Sequence, residues 1–319
     1  MKRVFALILA LIMILSLAAC GSEPNESGGS LTFVTGDDTG TYYDFGSVMG
    51  DTVSEFTDTQ VTVISSNGSQ ANIEALYAGD ADIAFVQSDV MAYGYNGTRL
   101  FAETGAVTTF STVAAMYIEQ VQLVTRDPSI KSVAALAGKR VSVGAVGSGV
   151  YYNAMDILGV YGLTEDDIIP AFYAFSETSE ALRDGQIDAG FVGAGAPTNA
   201  VASLAAANDT YLVSLDDEHI SALIASSPYY AKNTIGSEVY GTPEDVTTVG
   251  IIAVVIASDS ASDDDVYNFI SAVFNNLDIL AHDKTKEVSL DFAASVTDVP
   301  YHPGAARYFR ERSLTVPTK

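Results

Sequence analysis

The chain repeats itself. Glu74-Ala75-Leu76-Tyr77-Ala78-Gly79-Asp80-Ala81-Asp82-Ile83-Ala84-Phe85-Val86 is echoed by Glu180-Ala181-Leu182-Arg183-Asp184-Gly185-Gln186-Ile187-Asp188-Ala189-Gly190-Phe191-Val192. Glu, Ala, Leu, Gly, Asp, Phe and Val recur at identical offsets, 106 residues apart. Upstream, Gly40-Thr41-Tyr42-Tyr43 returns as Gly149-Val150-Tyr151-Tyr152 at a separation of 109. Two matches in the same order at nearly the same spacing leave few folds open. The chain is two copies of one supersecondary plan, each needing a core of its own.

Each copy alternates strand and helix. Leu31 to Thr35 is a β-prone run, Tyr42, Phe45, Met49, Val53 and Phe56 recur at helical spacing, and Val61 to Ser65 is a second strand. Asn67-Gly68-Ser69 opens a helix that closes at Gly79, before a buried strand Ile83 to Val86. The second copy offers strand Arg140 to Val143, the loop Gly144 to Gly149, a helix from Val150, a helix ending at Gly185 and strand Ile187 to Val192. The order predicts an α/β fold with a parallel sheet in each lobe. Gly79 and Gly185 supply the positive-φ residue that ends a helix, which makes Asp82 and Asp188 turn carboxylates rather than ligands. Val113 to Val124, apolar except for Glu119 and Gln120, is placed to leave the first lobe. Val249 to Ala257 is placed to return to it, followed by helices over Asp264 to Ala281 and Lys284 to Ala294. Two chain crossings make a hinge. The expected layout is residues 31–118 with 240–319 as lobe 1, and 119–239 as lobe 2.

The N-terminus sets the compartment. Lys2 and Arg3 precede an apolar run from Val4 to Leu15 that is shorter than the roughly 20 residues a spanning helix needs. Leu17-Ala18-Ala19-Cys20 follows and resembles a lipobox, with Cys20, the only cysteine, as the acylated residue. Residues 1–20 are thus expected to be a lipoprotein signal, and 21–30, without apolar content, a flexible tether on an extracytoplasmic membrane face. The whole chain carries −25; the first 19 residues hold two bases and no acid, so the remainder carries −27. Such a surface excludes nucleic acid as a partner.

Helix-opening turns rich in Gly, Ser and Thr stand at Thr39-Gly40-Thr41, Asn67-Gly68-Ser69 and Gly147-Ser148-Gly149. In open α/β sheets ligands bind beyond the carboxyl ends of the strands, and helix starts hold anions without a basic side chain. Two such turns in duplicated units would let each lobe grip one end of an anion. Gln87 and Ser88 follow the first copy's last strand and are expected to face the cleft, Gln87 able to read an amide or amino group, and Gly193 to Pro197, with Gly195, occupies the equivalent point in the second. Of Tyr42, Tyr43, Tyr151 and Tyr152, one of each pair is expected to pack inward and the other to line the cleft. No nucleophile elbow, phosphate-loop lysine, zinc cluster or calcium loop is present, so the reading is a binding protein without cofactor or metal, not an enzyme.

Thr39 to Tyr43, Asn67 to Ser69 with Asn72, Gly79 to Asp82 through Phe85 to Asp89, Leu136 to Gly144, Gly147 to Gly149, Gly185 to Ala189 and His302 to Tyr308 together resemble the TAXI family of TRAP-transporter solute receptors, over nearly all of 31–313. The resemblance implies a two-lobed, type II periplasmic-binding-protein-like fold. It also implies delivery of glutamate, glutamine or a related carboxylate to a TRAP permease, with Thr41, Tyr42, Tyr43, Ser69, Gln87 and Ser148 at the cleft; Thr39 and Gly195 join them on position. A receptor for an ABC importer is the nearest alternative, and an exported enzyme or adhesin on the same fold a remoter one. The chain departs from the family's glycine-rich first loop with Gly36-Asp37-Asp38-Thr39-Gly40, whose acids are expected to face solvent, the alternative being that they favour a ligand amino group, and has Val150 where a hydroxyl would add a donor.

Overall fold

The structure, a computed structural model, describes residues 28–99 and 101–319. Cys20, the signal and most of the tether lie outside the described residues.

The first copy runs β1 (Ser30–Val34), α1 (Thr41–Phe56), β2 (Gln60–Ile64), α2 (Ser69–Ala78) and β3 (Ile83–Gln87), after which α3 (Ser88–Asn96) begins at once. Then comes β4 (Phe110–Thr125). The second copy runs β5 (Arg140–Ser142), α4 (Gly149–Val160), β6 (Ile169–Ala171), α5 (Phe175–Arg183) and β7 (Ala189–Ala194). The remainder is α6 (Asn199–Ala207), β8 (Tyr211–Leu212), α7 (Asp217–Ser226), β9 (Ala231–Ile235), β10 (Val246–Ser258), α8 (Asp263–Asn275) and α9 (Pro303–Glu311), with short turns of helix between.

In both copies the first strand lies in the middle, parallel to the other two: β2-β1-β3 and β6-β5-β7. The copied Asp performs one task twice. Thr32 N–H donates to Asp82 Oδ2 (2.7 Å) and its carbonyl accepts from Asp82 N–H (3.0 Å). Arg140 N–H donates to Asp188 Oδ2 (2.8 Å) and its carbonyl accepts from Asp188 N–H (2.8 Å). Each carboxylate thus ties the start of its last strand to the first. Gly79 (φ 79°) and Gly185 (φ 68°) take the left-handed conformation that lets the chain leave the preceding helix.

β4 and β10 are antiparallel to each other and join the two parallel sets into one sheet, β10 pairing with β3 and β4 with β7. Val113, Met116 and Tyr117 of β4 pack in the first lobe's core with Phe33, Phe45, Phe85 and Phe309. Val121 and Leu123 pack in the second lobe's core with Val141, Ile157 and Phe191. Each fully buried side chain of this kind contributes about 1.5–3 kcal/mol. Val249 and Ile251 still belong to the second core, while Ala253 and Val255 belong to the first. The return crossing therefore falls inside β10, later than residue 240.

Other differences are local. Ser30, expected in the tether, begins β1, because Gln60 N–H donates to the carbonyl of Gly29 and draws the chain into the sheet. The helix expected over Lys284 to Ala294 divides into a 3-10 turn, Asp283–Glu287, and a short helix, Leu290–Ala293, since Val288 is extended and Ser289 Oγ caps the second piece. α8 is shorter than expected and buries Val266, Phe269, Ile270 and Val273. Its first turn is Asp263-Asp264-Asp265, so the longest acidic run sits where the helix dipole favours negative charge. His302 is buried and caps α9, accepting from Gly304 N–H (3.2 Å).

Candidate functional site

Three helices of good length aim their N-termini at one cavity. The turn before α1 supplies Gly36, Asp37 and Gly40, and that before α2 supplies Ser66, Asn67 and Gly68, while Ala145, Ser148 and Gly149 come from the start of α4. No side chain caps α1 or α2. Unpaired N–H groups and the positive end of the dipole therefore face the cavity, a setting that stabilises negative charge. Ser148 Oγ accepts from Tyr151 N–H (3.3 Å) and Ser69 Oγ from Gln87 N–H (3.0 Å). With their oxygens engaged this way, both hydroxyls keep a proton to donate. Among the described residues no lysine or arginine lines the cavity. It measures about 40 Å³, room for a few water molecules, so only a small solute is admitted before the lobes part.

Glu119, at the middle of β4, forms part of the wall with Gln87 and Tyr42. It is 2% exposed, and burial pushes its carboxyl up to about 8 against the opposing hydrogen bond from Gln87. Gln87 Nε2 donates to Glu119 Oε2 (2.7 Å) and to Asn153 Oδ1 on α4 (3.0 Å). Asn153 Nδ2 in turn donates to the Tyr230 hydroxyl (3.1 Å) and, at 3.4 Å, to Asp89 Oδ2. Behind it the Tyr230 hydroxyl donates to Asp156, which also receives Arg99. Burial raises Asp89 to about 7, against the hydrogen bond from Val90 N–H. Gln87 Oε1 is buried with no hydrogen-bond partner among the described residues.

The expected residues separate into two groups. Thr41, Tyr42, Ser69, Gln87 and Ser148 line the cavity, whereas Thr39, Tyr43 and Gly195 do not. Thr39 donates through its N–H (2.8 Å) and its hydroxyl to Asp37 Oδ1, which holds it in its own turn. Tyr43 is half-buried one helical step past Tyr42, which instead stacks on Phe85 at 4.6 Å. The Gly195 carbonyl accepts the hydroxyls of Thr41 (3.0 Å) and Thr198 (2.9 Å) and so joins the lobes. Tyr151 and Tyr152 both lie outside the lining; Tyr151 donates to Glu165 (2.8 Å). Asp38 is exposed, as expected, but Asp37 is not turned to solvent. Its Oδ2 accepts the Ser176 hydroxyl (2.9 Å) across the cleft, a contact 139 residues away in sequence. Glu119 and Asn153 were missed. Their signal is a polar residue inside an apolar strand and inside an apolar helix face.

The lobes meet closely over the cavity. Ala71 N–H donates to the Gly147 carbonyl (3.0 Å), and Ala200 N–H to that of Thr39 (3.3 Å). A Cβ on Gly149 would stand 2.1 Å from Gln87 Oε1 and 3.0 Å from Ser69 Oγ, so the glycine permits this approach. Among the described residues no group of His, Cys, Asp or Glu is arranged to hold a metal, and no helix is long and apolar enough to cross a membrane.

Comparison with known proteins agrees with the architecture. A model of the NMT1-like family matches residues 33–312. The alkanesulfonate-binding protein SsuA from Xanthomonas axonopodis pv. citri, solved with MOPS bound, is similar at 17% identity and TM-score 0.52, over 91% of this chain and 85% of that one. A protein from Bordetella bronchiseptica RB50 is similar at 15% identity and TM-score 0.53, over 91% and 99%. The ligand-binding component of an ABC-type import system from Staphylococcus aureus, solved with zinc, gives 11% and 0.51 over 91% and 94%. The fold is that of the type II periplasmic binding proteins.

Proposed function

This chain belongs to the NMT1-like family, and from that premise we propose that it is an extracytoplasmic receptor that captures a small carboxylate and hands it to a membrane permease. The observation that carries the reading is the convergence of three helix N-termini, with the Ser69 and Ser148 hydroxyls, on a cavity that no cation lines among the described residues. Backbone donors of this kind suit a carboxylate, which in this reading belongs to an amino acid or small organic acid, glutamate and glutamine among them, taken up when the lobes part. Ligand-binding residues in this reading are Thr41, Tyr42, Ser69, Gln87 and Ser148, with acyl chains on Cys20 holding the receptor to the membrane. It performs no reaction of its own.

The partner in this reading is a TRAP permease, supported by the motifs from Thr39 to Tyr43 and from Gly79 to Asp89. The second reading, an ABC importer, is favoured by the likeness to the import-system component from Staphylococcus aureus. Uptake in cells separates them: collapse of the ion gradient stops a TRAP system, whereas ATP depletion with the gradient held stops an importer. Capture itself is tested by melting. A ligand that binds only the folded chain stabilises it by RT ln(1 + [L]/Kd), about 2.7 kcal/mol at a hundredfold excess over Kd. A panel of amino acids and organic acids in which none raises the melting temperature would refute the receptor reading.

A further inference from the structure

Two carboxyls line the cavity, and they are held differently. Asp37 is half-buried and accepts from Thr39 N–H and, across the cleft, from the Ser176 hydroxyl. Glu119 is buried, and among the described residues no cation pairs with it. Gln87 Nε2 donates to its Oε2 (2.7 Å), while the ammonium group that attracts it, that of Lys284, is bonded to Glu287 (2.7 Å). The burial is made by closure. Ser148 to Val150, Gly193 and Ala194 of the second lobe line the same cavity, and Gln87 gives its other amide proton to Asn153 Oδ1 of α4 (3.0 Å). When the lobes part, that wall withdraws and water reaches the carboxyl. Water favours the ionised form and enclosure the neutral one. A neutral acid also donates a hydrogen bond, which a carboxylate cannot. An ionised Glu119 enclosed with an anion would put two like charges in one site with no cation between them.

We propose that Glu119 couples capture to protons: the lobes close on an anionic cargo with this carboxyl neutral, so that capture takes up one proton from solvent and affinity falls as pH rises. The proposal rests on the carboxylate reading above and adds how the site disposes of its own charge. The open chain with Glu119 as carboxylate, one anionic cargo and one proton give the closed complex with Glu119 as acid. The groups around Glu119 leave that proton to it. Tyr42 from α1 and Tyr117 from the same strand are raised by burial and stay neutral. Asp89 from α3, when ionised, disfavours a second charge on Glu119, and Lys284 with Glu287 from the 3-10 turn form a pair of their own. Asp89 does not line the cavity. In the closed chain burial pushes Glu119 up to about 8, so the proton is held at neutral pH and lost as pH climbs through that value. An enclosed anion raises it further.

Titration calorimetry of the purified full chain tests this with the panel of amino acids and organic acids, L-glutamate, glutarate and succinate first, between pH 6 and 8.5. Each titration is run in two buffers of different ionisation heat. For a probe that binds, Kd should rise by about tenfold or more over that range, since uptake of one proton changes it tenfold per pH unit. The buffer dependence of the heat at pH 8 should correspond to uptake of close to one proton. Glu119→Gln is neutral at every pH, so it should hold one affinity across the range and take up no proton. A merely structural role would not produce that, and titration of the probe or of Asp89 would leave the slope intact in this variant. A slope that survives in Glu119→Gln therefore overturns the proposal. If that variant fails to fold, the proton count of the unaltered chain decides alone. A probe bound with no proton uptake and a flat affinity overturns the coupling and leaves the carboxylate reading standing. Binding by no member of the panel removes both.

Discussion

The two lobes share a frame and differ in what they turn toward the cavity. Strand order, helix placement and the Asp82 and Asp188 ties are the same in both. Where the first copy ends its last strand in Gln87, the second has Gly193, and where the first opens its second helix with Ser69, the second has Phe175. The first lobe reads with side chains; the second contributes mostly backbone, the Ser148 hydroxyl and close approach. A symmetric frame with an unequal lining suits a ligand whose two ends differ. Asp89 of the first lobe and Glu119 at the crossing are raised by burial, while Asp188 and Asp216 of the second are lowered, by hydrogen bonds from Arg140 and His219.

The sharpest way to break the contrast is to deny the second lobe its close approach. Gly149→Val places carbon against Gln87 and Ser69, and should weaken ligand binding by about 100-fold or more, roughly 2.7 kcal/mol, with the apo melting temperature shifted far less. An affinity within threefold of the original would show that closure does not bring these lobes together around ligand. Next in size is the pH response. Folded, Glu119 and Asp89 hold their protons to about pH 8 and 7, whereas unfolded they ionise near 4. The folded chain binds the extra protons in that window, so stability falls as pH rises through it, each group adding a slope of up to about 1.4 kcal/mol per pH unit. The lowered Asp188 and Asp216 act oppositely: their stabilisation is present above about pH 4 and lost as pH falls, toward about 2 for Asp216. Melting temperature should thus decline from pH 5 to 8.5, and Glu119→Gln should flatten the decline; parallel curves would contradict the buried, protonated carboxyl.

Smaller effects compare the duplicated turns. Asp188→Ala removes a backbone tie and the Arg140 pair and should cost about 2 kcal/mol in denaturant unfolding, against about 1 for Asp82→Ala, which removes only the Thr32 contact. Equal losses would mean that the half-exposed Arg140 contributes nothing. Smallest is Ser148→Ala, which takes a helix cap worth about 1 kcal/mol and one donor. Ligand titration should show a tenfold loss at most.

The duplication, the crossing strands and three converging helix starts were legible because each has a local signature: a repeated string, an unbroken apolar run, or glycine beside a hydroxyl. The lining was legible only in part. Tyr43 sits two residues past Thr41 in a helix that turns each side chain by about 100° per residue, and Thr39 lies in the turn before it, so spacing alone does not say which one faces inward. Asp37 beside Asp38 looks like a solvated pair; its partner Ser176 belongs to another lobe, and no local pattern encodes that. Glu119 was visible as an interruption of the Val113 to Val124 run. Its meaning came from depth, since a carboxyl in the middle of a strand shared by two cores is cut off from bulk water.

Because the chain leaves the first lobe along β4 and returns along β10, Ile118 and Ile252 are paired neighbours, as are Gln120 and Gly250. Antiparallel neighbours can be joined by a two-residue turn. The second lobe is therefore an insert with adjoining ends, and a chain in which such a turn replaces everything between Ile118 and Ile252 retains each strand of the first lobe's sheet. The receptor is modular in the sense used for grafted domains. Its reading half and its closing half can be exchanged between relatives at the two adjoining junctions, and the specificity of a hybrid should follow the half that carries Gln87.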